Sequence, residues 1–244
     1  MPPADAQPGP RTLRWALVIA TYKRREILLR CLQNALRQTR MPDEIVVVDA
    51  SPDFDVNRDA AMALLSSAGN TRVVYEAARR ASLPVQRNQG IELASADIVF
   101  LIDDDSMMYP DCAAEVMKVY EHDARERVSG VMCMPETTPP DAEHSSSMGA
   151  SGNVAVQPKQ TPLRRLVKSL LNTEATFFLP YDARFPEHEV PSELRGLEVD
   201  VIQVMPGYAM TFRRSVLQKE AFCEMLERYA AGEDQDVSYR ASRH

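Results

Sequence analysis

Asp97-Ile98-Val99-Phe100-Leu101-Ile102-Asp103-Asp104-Asp105 is the stretch that decides how the rest of the chain is read. Apolar residues, mostly β-branched or aromatic, run straight into three carboxylates. The run is too short for a helix and too continuous for a strand with one face in water. It predicts a strand buried on both sides of a mostly parallel sheet. In such sheets ligands bind beyond the carboxyl ends of the strands, where the three aspartates would lie. Two unit charges ~4 Å apart repel by about 4 kcal/mol at an effective dielectric of about 20. Three clustered carboxylates therefore need a cation, a raised pKa, or side chains splayed into water. An acidic turn after a strand is the plainer reading of a bare Asp triplet, and the flanking sequence has to choose.

Upstream, Trp15 to Ala20 reads as a first buried strand, with Thr21-Tyr22-Lys23-Arg24 as the loop at its carboxyl end. Ile27, Leu28, Cys31, Leu32, Ala35 and Leu36 recur at the spacing of one helical face. Glu44 to Val48 makes a second strand, closing on Asp49. A helix through Ala60, Leu64 and Ala68 ends at Gly69-Asn70, a short strand covers Arg72 to Tyr75, and a helix spans Val85 to Ala94. Strand–helix alternation of this kind means right-handed βαβ units. Downstream the pattern predicts a helix from Pro110 to His122 and strands over Arg127–Met134, Val199–Met205 and Ala209–Phe212. A helix from Arg214 to about Tyr229 follows, and a last one opens at Gly232-Glu233-Asp234-Gln235-Asp236. Acidic residues suit a helix N-terminus, so capping is the plainer reading of this second acidic cluster. Trp15, the lone tryptophan, is expected in the core.

The chain of 244 residues has room for one large α/β domain. A net charge of −7 offers no general attraction to nucleic acid. The four cysteines, Cys31, Cys112, Cys133 and Cys223, form no Cys-x-x-Cys motif, which favours reduced thiols in a cytoplasmic protein over a disulfide framework or zinc site. Residues 1–12, rich in Pro and Ala, read as a disordered lead-in. No run approaches the roughly 18 apolar residues needed to span a bilayer. Residues 135–160 read as a long loop. Leu163 to Leu171 forms a short basic amphipathic helix, either an ordinary surface helix or a contact with a membrane face or an anionic lipid-linked substrate.

The order of these pieces resembles family 2 glycosyltransferases of the GT-A fold. The matching residues are Val18-Ile19-Ala20-Thr21-Tyr22, Glu44 to Asp49, Arg87-Asn88-x-Gly90, and Asp103-x-Asp105 followed by Tyr109-Pro110-Asp111. Gly207-Tyr208-x-Met210-x-Phe212-Arg213-Arg214 and Gly232-Glu233-Asp234-x-Asp236 complete the set. Each is weak alone, and their shared order carries the resemblance. It implies a GT-A α/β fold: a mostly parallel, Rossmann-like sheet flanked by helices. Residues 13–134 would be the nucleotide-sugar-binding half and 135–244 a smaller acceptor-binding half of the same domain. The implied reaction moves a sugar from a nucleotide-sugar to an acceptor hydroxyl, with inversion.

Under that resemblance Asp105, with Asp103 or Asp104, would hold Mg²⁺ or Mn²⁺, hard ions that take carboxylate and phosphate oxygens. Asp103 and Asp104 would also reach the ribose. Thr21 or Tyr22 would line the base pocket, and Asp49 would bond base or ribose. Arg87 would either meet the diphosphate or pair the Asp cluster. Asp234 is the candidate general base, with Gly207, Tyr208 and Glu233 on the acceptor side. The acceptor is a glycan, a lipid-linked molecule or a secondary metabolite, as in cell-surface polysaccharide synthesis, and the site of action is the cytoplasm or the cytoplasmic face of a membrane. Two departures count against a uniform assignment. Ala50 replaces the second of the paired acids common after the second strand, and the chain stops at His244, directly after the helix bearing the proposed base. A non-catalytic or truncated nucleotide-sugar-binding module is therefore the alternative expectation.

Overall fold

The computed structural model describes residues 12–136, Pro140, 187–226 and 230–244. Most of the lead-in, the basic segment 163–171 and much of the unmatched stretch 135–195 lie outside the described residues. A six-stranded sheet forms the centre. Its strands are β1 (Trp15–Thr21), β2 (Glu44–Asp49), β3 (Arg72–Ala77), β4 (Ile98–Asp103), β5 (Gly130–Val131) and β6 (Ala209–Arg213), in the order β3-β2-β1-β4-β6-β5. Strands β1 to β4 are parallel; beyond β4, β6 pairs antiparallel with it and β5 pairs antiparallel with β6. Helices α1 (Arg25–Ala35), α2 (Phe54–Leu65), α3 (Leu83–Leu93) and α4 (Cys112–His122) follow β1 to β4. Short α5 (Arg214–Leu217) and α6 (Glu233–Ala241) follow β6. This is the mixed α/β sheet flanked by helices that the sequence predicts.

Alternate residues of β1 serve opposite faces, as a strand dictates. Trp15, Leu17 and Ile19 pack with Leu28, Leu32, Val116 and Tyr120 in one core. Ala16 and Val18 pack with Val46, Val48, Ile91 and Val237 in the other. Burial on both faces is why the strands read as unbroken apolar runs. The order of the strands reverses between β1 and β4, which opens a crevice beyond their carboxyl ends.

Helix α3 departs from the amphipathic rule. Gln86, Arg87, Asn88 and Gln89 are consecutive and all buried. Each is satisfied by a different element. Gln86 donates to the carbonyls of Thr21 (3.0 Å) and Val48 (2.8 Å), tying together the ends of β1 and β2. Gln89 donates to Ala77 O (2.8 Å) and accepts from Arg79 N (2.9 Å). Asn88 donates to Phe222 O (3.0 Å) and accepts from Phe222 N (2.9 Å), as a strand neighbour would. At Gly90 a Cβ would come within 2.3 Å of Val18 Cγ1, so the glycine lets this polar helix lie directly on β1.

Three expectations are corrected. Val199–Met205 is not a strand: Val201 and Ile202 are exposed, and β4 and β5 already occupy both sides of β6. The helix begun at Arg214 stops at Leu217, because the chain turns to present Phe222 to Asn88; residues 227–229 lie outside the described set. The strand expected over Arg127–Met134 pairs only at Gly130 and Val131. Just before it, the buried Arg213–Asp123 ion pair at 2.9 Å leaves Arg213 Nε to bond Val128 O (3.0 Å), holding the entry to β5 against β6.

Candidate active site

The crevice beyond β1 and β4 is built around the acidic triplet. Parallel register sets Ala20 opposite Asp103, so the residues that follow, Thr21 and Asp104, meet across the gap. Thr21 Oγ1 donates to Asp104 Oδ2 at 2.7 Å. Arg24 reaches back from the loop after β1, its Nη1 2.9 Å from Asp104 Oδ1 and its Nη2 bonded to Asp105 Oδ2. Asp104 is almost wholly buried, whereas the Asp103 and Asp105 side chains are 40% and 49% exposed. Burial pushes the Asp103 and Asp104 carboxyls above their ordinary range, Arg87 pulling Asp103 back and Thr21 pulling Asp104 back. The same three charges bear on Cys31 beneath them, whose thiol burial and the aspartates push up to about 12.

Arg87 joins this cluster to the second one. Its side chain is 2% exposed. Nη2 donates to Asp103 Oδ1 (3.0 Å) and to Gly207 O (2.7 Å), Nη1 donates to Glu233 Oε1, and the guanidinium lies over the Phe222 ring at 5.5 Å. One guanidinium thus spans β4, the turn before β6 and the start of α6. A Cβ at Gly207 would stand 3.2 Å from Glu233 Oε1 and 3.4 Å from Arg87 Nη2, so a glycine is what brings that turn onto the ion pair. Gly232, at φ +91°, starts α6 in the left-handed region that glycine enters without steric cost. Glu233 and Asp234 follow in the first turn, where the helix dipole favours them. Burial raises the Glu233 pKa, with Arg87 opposing, and its Oε2 is buried without a hydrogen-bond partner. Asp234 accepts from Gly207 N at 3.3 Å and Gln235 N at 2.9 Å, and is partly exposed.

The structure therefore brings together Thr21, Arg87, Asp103, Asp104, Asp105, Gly207, Glu233 and Asp234. Arg87 pairs the acidic cluster through Asp103. Tyr22 is 48% exposed at the lip, with the Lys23 ammonium 5.0 Å from its ring centre, and Tyr208 is exposed at the start of β6. Lys23 holds φ +57°, uncommon away from glycine, and its N–H bonds Ser51 Oγ at 2.7 Å. Asp49 stands apart. Its carboxylate accepts from Ser51 N (2.7 Å), Asn57 Nδ2 (3.1 Å) and Tyr75 OH (2.8 Å), and it is 1% exposed. In this structure it binds its own loop and the neighbouring strand β3. Sequence reasoning gave no role to Arg24, Gln86 or Asn88, the last quoted only within the Arg87-Asn88-x-Gly90 match. A basic residue in the loop beside an acid-tipped parallel neighbour was the available signal for Arg24. Nothing in periodicity marks the other two.

Among the described residues, no three His, Cys, Asp or Glu side chains converge on a common point that could hold a metal ion. Asp103 and Asp105, half-exposed carboxylates, are of the hard oxygen-donor type that Mg²⁺ takes together with phosphate and water.

The strand order reverses between β1 and β4 of a mostly parallel sheet, and the acids and the buried arginine lie at that switch point, where open α/β sheets take their ligands. Residues 16–147 match the model of glycosyl transferase family 2, and the chain belongs to that family. It is 30% identical over 109 residues to an uncharacterized glycosyltransferase, YwdF, of Bacillus subtilis (strain 168), covering 45% of this chain and 39% of that protein. Among solved structures it resembles the mannosyltransferase PcManGT from Pyrobaculum calidifontis in complex with GDP-Man and Mn²⁺. The TM-score is 0.56 at 17% identity, over 97% of this chain and 54% of that one. It also resembles S. aureus TarS residues 1–349 in complex with UDP-GlcNAc, with TM-score 0.52 at 13% identity, over 94% and 53% of the two chains. At such identities these likenesses establish the GT-A fold alone. The chain spans about half or less of the length of each of these relatives.

Proposed function

We propose that this chain acts as a metal-dependent inverting glycosyltransferase, moving a sugar from a nucleotide-sugar to an acceptor hydroxyl. The observation that carries the reading is Arg87, which ties Asp103 of the first acidic cluster to Glu233 of the second, beside Asp234. Two acid groups more than a hundred residues apart in sequence thereby share one guanidinium. Asp103 and Asp105 would hold Mn²⁺ or Mg²⁺, which when bound supplies a Lewis acid for the leaving diphosphate. Tyr22 would stack on the base, and Asp104, held by Thr21 and Arg24, would orient the loop. Asp234 would take the proton from the acceptor hydroxyl as that oxygen attacks the anomeric carbon; a single displacement needs this one base and no enzyme nucleophile. Tyr208 and Gly207 would border the acceptor. Reduced cysteines and the basic segment 163–171 favour a cytoplasmic enzyme acting at a membrane face on a glycan or lipid-linked acceptor.

A second reading, a nucleotide-sugar-binding module without turnover, is favoured by the internal commitment of Asp49 and by Ala50 beside it. Incubation with a panel of nucleotide-sugars and Mn²⁺ is expected to consume one donor and release its nucleoside diphosphate. Asp234→Asn should lower transfer by about 10²–10⁴-fold while calorimetric nucleotide binding persists. Binding without turnover by the unaltered chain selects the module. Neither binding nor turnover with any donor defeats both readings.

A further inference from the structure

Cys112 and Cys133, 21 residues apart in sequence, bring their sulfurs within 3.3 Å. Both residues are half-buried, neither closed off within the core. We propose that this pair is a reversible redox modification site: a hydroperoxide or small-molecule disulfide converts it to a Cys112–Cys133 disulfide that fastens the chain leaving β5 to the start of α4. The inference is independent of how the crevice is read.

The two ends of the cross-link differ in stiffness. Cys112 opens α4, and that helix start is held by Gln38, which accepts from Ala113 N (3.0 Å) and donates to Tyr109 O (2.9 Å). Cys133 lies two residues past β5, whose ladder consists of Gly130 and Val131 alone. The residue after it, Met134, is 69% exposed. The shift from contact to a bond of about 2.05 Å therefore falls on the looser partner. The pair is also electronically prepared. The Cys112 thiol donates to Cys133, which lowers the Cys133 pKa and raises that of Cys112, while Asp111 acts to raise both. Cys133 is the nucleophile in this arrangement. Its thiolate attacks one oxygen of a hydroperoxide, breaking the O–O bond and releasing water or an alcohol, and becomes a sulfenic acid. The Cys112 sulfur then attacks the sulfenic sulfur, and the departing hydroxide takes the Cys112 proton as water. Two thiols lose two electrons to the peroxide in total. With glutathione disulfide, thiolate attack forms a mixed disulfide that Cys112 resolves, and two molecules of reduced glutathione leave. Cys31 does not compete, because only 1% of its surface is exposed to an oxidant in solution.

The full chain is treated with hydrogen peroxide or with a glutathione redox buffer, then mapped by mass spectrometry without reduction. The expected product is lighter by two hydrogen atoms and yields a peptide pair joined through Cys112 and Cys133. Its melting temperature should rise by about 5 °C or more, since the bond closes a loop of the unfolded chain, and dithiothreitol should reverse both changes. Cys112→Ser and Cys133→Ser should each abolish the bond, and Cys223→Ser should retain it. A stable adduct on either thiol without the internal bond, a bond to Cys223 instead, or intact thiols under excess oxidant would each overturn the proposal.

Discussion

A guanidinium that keeps 2% of its surface in water must have its charge answered by the protein, and Arg87 is answered by Asp103, Glu233 and the Gly207 carbonyl. Removing it would strand Glu233, which is already buried with one oxygen unpartnered. Arg87→Met should cost about 3 kcal/mol in urea unfolding at neutral pH, toward the low end for a broken buried pair because Asp103 can rehydrate. Glu233 sits above its ordinary pKa because burial outweighs Arg87, and loss of the arginine would raise it further. The cost should therefore shrink as pH falls and Glu233 takes up a proton. Arg87→Met/Glu233→Met should recover part of the loss. Lysine is a poor substitute, since a single ammonium does not reproduce the planar fork that spans these acceptors.

At the scale of elements, α3 and the amino end of the sheet show how polar side chains set geometry that hydrophobic pattern does not specify. Glu44 opens β2 with no exposed surface. It accepts from Arg14 Nη2 (2.9 Å), Arg72 Nη1 (2.9 Å), Ser95 N (2.9 Å) and Ser95 Oγ, joining β2 to β3 and to the start of the segment leading into β4. Burial pushes its pKa up, yet the Ser95 hydrogen bonds and the two arginines overcome that and hold it below its ordinary 4.5. A depressed acid contributes stability that is full above its unfolded pKa and is lost as pH falls through the folded value. Glu44→Gln should thus cost about 1–3 kcal/mol at pH 7, the arginine share being modest because both side chains are half exposed. Unfolding curves of the two proteins should converge below the carboxylate range. Legibility at this scale followed periodicity. Strands β1, β2 and β4 were readable because both faces are apolar, whereas Val199–Met205 carried a strand's composition without an open sheet edge to join. The stretch after Leu217 looked helical, and its path is set by hydrogen bonds to Asn88 far away in sequence.

For the whole molecule, the test is linkage between ligand and stability. A nucleoside diphosphate with Mn²⁺ at about 100 times its dissociation constant should stabilise the chain by about 2.7 kcal/mol, a rise of about 5–10 °C in melting temperature. Chelation of the metal should remove most of it if the acidic crevice is the site. GDP and UDP should be compared, because Ala50 and the enclosed Asp49 leave the base preference open to measurement. The alternation of strands and helices from β1 to α4 and the acid-tipped β4 were determined by sequence alone, for a local reason: period, turn residues and unbroken apolar runs act over a few neighbours at a time. The same holds for the acids opening α6, which a helix N-terminus favours wherever it lies. Only tertiary structure decided that Arg87 joins Asp103 to Glu233, that Arg24 bridges Asp104 and Asp105, that Asp49 turns to Tyr75, and that Cys112 meets Cys133. Those contacts span up to 146 residues, and no local pattern encodes which distant donor a buried charge will find when the sheet closes.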